Sequence, residues 1–289
     1  MSARSKQVIR MQPTNAWSLP DFREVWEFRD LVLMIALRDL RSRYKQTALG
    51  IFWVVLQPLL TSGVFAIIFG NLANLKPQGN VSYLVFANVG TVTWTLFENS
   101  VTRASNSLLF GVGIISKVYF PRIILPISSV LSGLIDFLIG FIMTLVLLLI
   151  YEVQSFQGDS PQNLFTARML LMPIFLFGIM LLAISVGMLI SSLSIQRRDL
   201  LTALPFLMKV AMYSVPVVYS IERIPAQWLP LYSLNPLVGL VQAVQWAMLN
   251  LTDPFPLNQF IYAMITTVIL FLLASLLYRR MERSAVDSL

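Results

Sequence analysis

The chain has 289 residues, 57% hydrophobic and 12% charged, with mean hydropathy +0.74, which is far more apolar surface than one water-soluble core can hide. It contains no cysteine and no histidine, so disulfides, thiol nucleophiles, imidazole bases and the usual zinc ligands are excluded together. The formal net charge of +7 invites a nucleic-acid partner, but the placement of the charges assigns it to membrane topology instead.

Residues 1–27 carry Arg4, Lys6, Arg10, Asp21, Arg23 and Glu24 and no apolar run of signal-peptide length. They read as a cytoplasmic extension, and the first span as a retained anchor. Residues 28–47 follow as an amphipathic helix. At 100° per residue Leu33, Ala36, Leu37, Leu40 and Tyr44 share one face, while Arg38, Arg41 and Lys45 gather opposite. An apolar run begins immediately afterwards, so the helix is expected to lie along the lipid headgroups and feed the chain into the bilayer near Ala48.

Apolar runs of roughly spanning length, about 20 residues, occur near 49–70, 82–103, 123–151, 168–193, 201–221 and 257–278. The expected fold is therefore an all-α membrane protein with a six-span domain over 48–283 and a cytoplasmic tail over 284–289. Most Lys and Arg fall in the N-terminal segment, the second and fourth loops and the tail, while the other side has Lys76, Arg168 and Arg223. Both termini are then cytoplasmic.

Two connections stand out. Glu222 to Pro256 is broken by Pro225, Pro230, Pro236, Pro254 and Pro256, yet Leu237 to Leu249 is an uninterrupted helical stretch too short to cross a bilayer. It reads as a re-entrant or interfacial helix on the outer face before the last span. The loop Ser105 to Pro121 has glycines and a short apolar segment between Arg103 and Arg122, and on the cytoplasmic side such a segment needs headgroups or a partner protein as cover. Its G-V-G-I-I-S-K fails as a phosphate loop, because Ser116 stands where the second glycine belongs and Val118 where the hydroxyl residue belongs. No nucleotide site is expected on this chain.

Four stretches carry a resemblance: RDLRSRYKQTALGIFWVVLQPLL from Arg38 to Leu60, SKVYFPRIILP from Ser116 to Pro126, QRRDL from Gln196 to Leu200, and NPL from Asn235 to Leu237. Together they resemble the membrane subunit of ABC-2 type polysaccharide exporters, the O-antigen and teichoic-acid permeases. The resemblance implies a homodimer of six-span subunits in the bacterial cytoplasmic (inner) membrane, joined to two copies of a separate ABC ATPase that holds ATP and magnesium. This chain then binds no cofactor and catalyses nothing. The cargo implied is a polysaccharide on an undecaprenyl-diphosphate lipid, such as O-antigen. The resemblance further implies that Leu108 to Tyr119, with Leu108, Phe110, Lys117 and Tyr119, is a coupling helix for the ATPase. Arg197, Arg198 and Asp199 would make a second contact, and Leu237 to Leu249 would form an outer gate. Residues 1–27 lie outside that core.

Three residue sets are candidates for transport. Tyr83, Phe86, Trp94 and Phe97 fall within about 80° of one another around the second span, an aromatic stripe suited either to stacking on sugar faces in a channel or to packing on neighbouring helices. Arg38, Arg41, Arg43 and Lys45 form a cationic cluster where a lipid diphosphate would arrive, suited either to its capture or to general attraction of anionic lipid. Glu98, Arg103, Asp136 and Lys209 are ionisable groups in or beside apolar runs. Arg103 is expected to snorkel, Glu98 to pair with Arg103 or Lys209, and Asp136 with Lys209. An integral-membrane enzyme acting on polyprenyl phosphates would need clustered carboxylates, and here they are scattered singly. A permease for capsule polymer, teichoic acid, or a small drug or lipid fits the same pattern.

Overall fold

The computed structural model describes residues 22–45, 50–77, 81–115, 120–156, 163–251 and 254–288, with only the backbone described at 22, 51, 110–115 and 282–288. The described residues are helical, with turns and no strand. In chain order the helices are α1 (Phe22–Glu27), α2 (Arg29–Tyr44), α3 (Gly50–Phe65), α4 (Tyr83–Ile115), α5 (Ile124–Phe156), α6 (Met172–Ser194), α7 (Asp199–Met212), α8 (Leu229–Ser233), α9 (Pro236–Met248) and α10 (Leu257–Ser288). α3 runs on into a π-helical turn, Ala66–Leu72, and α6 is preceded by a 3₁₀ turn, Ala167–Leu171.

Four of these are long and apolar enough to cross a bilayer: Phe52–Leu72, Ile124–Phe156, Ala167–Ser194 and Leu257–Met281. The expected second and fifth spans differ from that simple pattern, each for its own reason. α4 has 33 residues, about 50 Å at 1.5 Å per residue, but Asn88, Glu98, Asn99 and four threonines dilute its hydropathy. It is among the more enclosed helices, with Phe86, Ala87, Val101 and Ala104 fully buried, so over its described side chains it meets protein on most sides. It also continues through Leu108, where a loop was expected. Ser105 and Ser107 do not break it, because each hydroxyl donates to a carbonyl of the preceding turn, Val101 and Ala104, at 2.7 Å.

The fifth apolar run is not one helix. α7 stops after 14 residues at Met212, and the chain then turns through Val215, Pro216, Val217 and Val218, all buried. Irregular backbone within a membrane protein is stable only where protein shelters it and satisfies its carbonyls. Here the Gln245 side chain of α9 donates to the Pro216 carbonyl at 2.7 Å, and the Tyr83 hydroxyl donates to the Val218 carbonyl. Gly90 of α4 admits this stretch, since a Cβ there would lie 2.2 Å from the Val217 carbonyl oxygen. Replacing Gln245 by Leu is expected to lower stability by about 1–3 kcal/mol, the penalty of an orphaned buried acceptor. Thermal unfolding in detergent beside the unaltered chain measures it.

α9 matches the short helix expected at Leu237 to Leu249 within a residue. Asn235 caps it, its side chain accepting from the Leu237 amide at 3.1 Å, and Pro236 occupies the first turn. It is buried on nearly all sides against α10, α4 and α6.

The apolar core has two parts, one at each end of the bundle. One joins the start of α4, α9, the buried stretch after α7 and the N-terminal half of α6. Arg168 is at that end, its guanidinium donating to the Leu251 carbonyl at 2.8 Å and lying 4.3 Å from the Trp246 ring centre. The other joins Val32 and Ile35 of α2, Ala104 and Leu108 of α4, Ile124 of α5, Met188 of α6 and Tyr278 near the end of α10. The N-terminal helices and the C-terminal part of α10 thus share one end of the bundle.

α2 does not present the expected faces. Leu33, Met34 and Leu37 are exposed beside Arg38 and Arg41, whereas Val32, Ile35 and Ala36 are buried, with Asp39 and Arg43 continuing that line along α5. Its apolar residues are divided between both sides, so a single polar face opposite a single apolar one is absent. The reason is the ion cluster described next, which turns Arg43 inward.

Candidate functional site

Asp136 is a lone carboxylate midway along α5, and its side chain is only 9% exposed. An isolated charge there would be costly, so it must have cationic partners. The fold supplies two. Arg43 of α2 donates through Nη1 to Asp136 Oδ2 at 2.5 Å and through Nη2 to the Ser132 hydroxyl at 3.0 Å. Arg103 of α4 donates through Nη2 to the same Oδ2, and the Tyr44 hydroxyl donates to Oδ1 at 2.5 Å. Burial, with the bond to Asp136 and its charge adding, pushes the Tyr44 hydroxyl up to about 12, so it remains a donor at neutral pH. Three helices that are distant in sequence are joined at one carboxylate.

The expected pairings are corrected accordingly. Asp136 binds Arg43 and Arg103, not Lys209. Arg103 does not snorkel, because its head turns inward and its side chain is 21% exposed. Glu98 accepts from the Trp94 indole at 2.9 Å, a bond along one helix, and Lys209 is exposed on the neighbouring α7. Neither Glu98–Arg103 nor Glu98–Lys209 forms an ion pair within 4 Å among the described residues.

The cationic cluster is divided. Arg43 leaves it for Asp136, and Arg38 binds its neighbour Asp39 at 2.8 Å, while Arg41 and Lys45 are exposed. The aromatic stripe forms as spaced, with Trp94 and Phe97 rings 5.7 Å apart and those of Tyr83 and Phe86 6.2 Å apart. All four side chains are buried within the subunit, none more than 9% exposed. Accessible aromatic side chains lie elsewhere: Phe52 and Trp53 on α3, Phe206 on α7, Tyr213 just after it, and Trp228 before α8.

Of the residues assigned to ATPase contact, Arg197, Arg198 and Asp199 are exposed in the tight turn between α6 and α7, at the same end as α2. Leu108 is buried in the core at that end. Lys117, Tyr119 and the Phe110 side chain lie outside the described residues.

Two cavities flank the ion cluster. A groove of about 390 Å³ lies between α2 and α4/α5, lined by Arg38, Arg43, Arg103, Ser42, Ser129 and Ser132 among others. A second, of about 220 Å³, lies between α3, α4 and α5, with Gln57, Asn99, Arg103 and Asp136 among mostly apolar walls. Arg43 and Arg103 line both, so the guanidiniums form the partition. The sequence shows these charges but not their meeting. The available signal was angular: on a helix Arg43 points roughly 140° away from Arg38.

Known proteins resemble this chain over most of its length. The chain is 27% identical over 256 residues to the O-antigen export system permease protein RfbA of Klebsiella pneumoniae, covering 88% of this chain and 94% of that one. It is 26% identical over 268 residues to the protein of that name from Myxococcus xanthus, covering 91% and 97%. To the polysialic acid transport protein KpsM of Escherichia coli it is 23% identical over 262 residues, covering 87% and 93%. A model of the ABC-2 type transporter family matches residues 30–249, from α2 to the end of α9, and the chain belongs to that family.

Proposed function

We propose that this chain is the permease subunit of an ATP-driven exporter that moves an undecaprenyl-diphosphate-linked polysaccharide, such as O-antigen, across the bacterial cytoplasmic membrane. The reading is carried by likeness that runs nearly end to end with permeases named for O-antigen export. Physical features support the details. A chain without histidine or cysteine, and with scattered carboxylates, offers little chemistry of its own, so force must come from a separate ATPase, two copies on a homodimer of this subunit. The exposed Arg197–Arg198–Asp199 turn is the proposed ATPase contact, together with the Leu108 to Tyr119 region. The apolar sides of α3 and α7 are exposed, which suits lipid and a second copy. Six crossings with both termini cytoplasmic follow if α4 and the α7 segment each cross once inside protein. The exposed Arg38, Arg41 and Lys45 are proposed to attract the lipid diphosphate, with Arg43 behind them. The accessible Phe52, Trp53, Phe206 and Tyr213 are better placed to meet a sugar chain than the enclosed Tyr83, Phe86, Trp94 and Phe97.

Purification of the tagged chain from its own cells tests the reading. An ATP-binding subunit is expected to accompany it, and reversing Arg197 and Arg198 to Glu is expected to reduce that recovery by about tenfold or more, as for a desolvated charge contact. Reconstituted complex should move lipid-linked polymer only with ATP. A chain that purifies alone and transports without ATP overturns the proposal.

A further inference from the structure

The ion cluster does more than neutralise a buried acid. Arg43 and Arg103 both reach the groove between α2 and α4/α5, whereas Asp136 lines only the cavity behind them. The other acid of the groove, Asp39, is engaged by Arg38 through two guanidinium nitrogens. From the groove, then, a visitor meets two guanidiniums held from the rear by one shared carboxylate, with the hydroxyls of Ser42, Ser129 and Ser132 around them. A guanidinium has five donors in a planar fork suited to phosphate oxygens. Arg103 uses Nη2 on Asp136, while its Nη1 is buried beside Gly133 of the rear cavity without a hydrogen-bond partner among the described residues, so the nitrogen a groove ligand would take is the one Asp136 now holds. The groove volume of about 390 Å³ accommodates a phosphate or diphosphate.

We propose that this groove is a phosphate-binding site in which the bound phosphate competes with Asp136 for Arg43 and Arg103, loosening α2 from α5 and opening the partition between the two cavities. It deepens the export reading and rests on it for the identity of the phosphate as a lipid diphosphate. A ligand shifts such an equilibrium only by binding one state better. The phosphate does so because its bidentate bonds to the arginines are available only as the carboxylate lets go. Asp136 is thereby a counter-ion that holds α2 against α5 until cargo replaces it. The site differs from the exposed stripe of Arg38, Arg41 and Lys45 by its use of Arg103, which comes from another helix.

The absence of native cysteine makes a clean test available. In the full chain with Ser42→Cys and Ser129→Cys, one thiol on α2 and one on α5 line the groove, and the ion cluster remains native. Cross-linking by a short bis-thiol reagent in maltoside micelles is followed with polyprenyl diphosphate, inorganic diphosphate or unphosphorylated polyprenol at equal concentration. Polyprenyl diphosphate is expected to slow cross-linking about tenfold, the effect of a moderate differential affinity, and polyprenol to leave it unchanged. Slowing by polyprenyl diphosphate alone assigns a lipid headgroup, and equal slowing by inorganic diphosphate assigns free phosphate as a sufficient ligand. Adding Arg103→Gln should remove the response. In an independent measurement, Asp136→Asn frees the arginines, so inorganic diphosphate should raise its melting temperature more than that of the native chain. An unchanged cross-linking rate with both diphosphates overturns the proposal, as does an equal rise in melting temperature. ATP-dependent polymer export with diphosphate-insensitive cross-linking removes this inference alone. Diphosphate-sensitive cross-linking without polymer export removes the export reading and leaves the phosphate site standing.

Discussion

Asp136→Ala is expected to destabilise the full chain by about 3–5 kcal/mol, because removing one member of a buried ion cluster leaves its partners uncompensated. Arg43 and Arg103 would then face each other without the carboxylate that now binds both. Membrane-inserted yield and the melting temperature in detergent are the readouts, and a loss below about 1 kcal/mol, the value of a surface pair, would remove the cluster from the account of stability. A charge swap sharpens the result. Arg103→Asp with Asp136→Arg recreates one pair but sets the new arginine against Arg43, so rescue should be incomplete. Complete rescue would mean that Arg43 adds nothing.

Gly90→Val is the second large effect expected. The first side-chain carbon would stand 2.2 Å from the Val217 carbonyl oxygen, and that backbone is fixed on its other side by α9. Because backbone cannot swing aside as a flexible side chain does, the loss should reach or exceed the roughly 1–3 kcal/mol typical of overpacking. Gly63→Ala on α3 provides the contrast. Nothing lies within 4 Å of its added carbon, and alanine gains up to about 1 kcal/mol over glycine in a helix interior. Thermal unfolding of the two variants side by side should move in opposite directions, and a similar shift for both would mean that Gly90 is not held against fixed backbone.

The long apolar helices were legible in the sequence because hydropathy measures what lipid requires. α5, α6 and α10 lie close to their expected runs, and α9 was recognised as too short to cross. What composition could not convey was enclosure. The Ser105 to Ser107 stretch looks polar but satisfies its hydroxyls on its own helix, so α4 continues where a loop was expected. The run after Asp199 looks like a span because buried irregular chain is as apolar as a helix, and only Pro205 and Pro216 hinted otherwise. The charged site was half visible. Asp136, Arg103 and Arg43 were all singled out, but Arg43 in a different set and Asp136 with another partner, since a sequence displays a buried charge without displaying what neutralises it. The divided faces of α2 follow from the same gap, because only the position of Asp136 explains why Arg43 points inward.

The partners in that cluster are made at different times. Arg43 and Asp136 are separated by 93 positions, so at ribosomal rates of about 5–20 residues per second α2 exists for several seconds before α5 has been translated. Throughout that interval Arg43 lacks the acid that receives it in the finished fold, and α2 can take its place only after α3, α4 and the first part of α5 have emerged. Docking of α2 on α5 is therefore a return of the earliest segment, a delayed closure written into the order of synthesis.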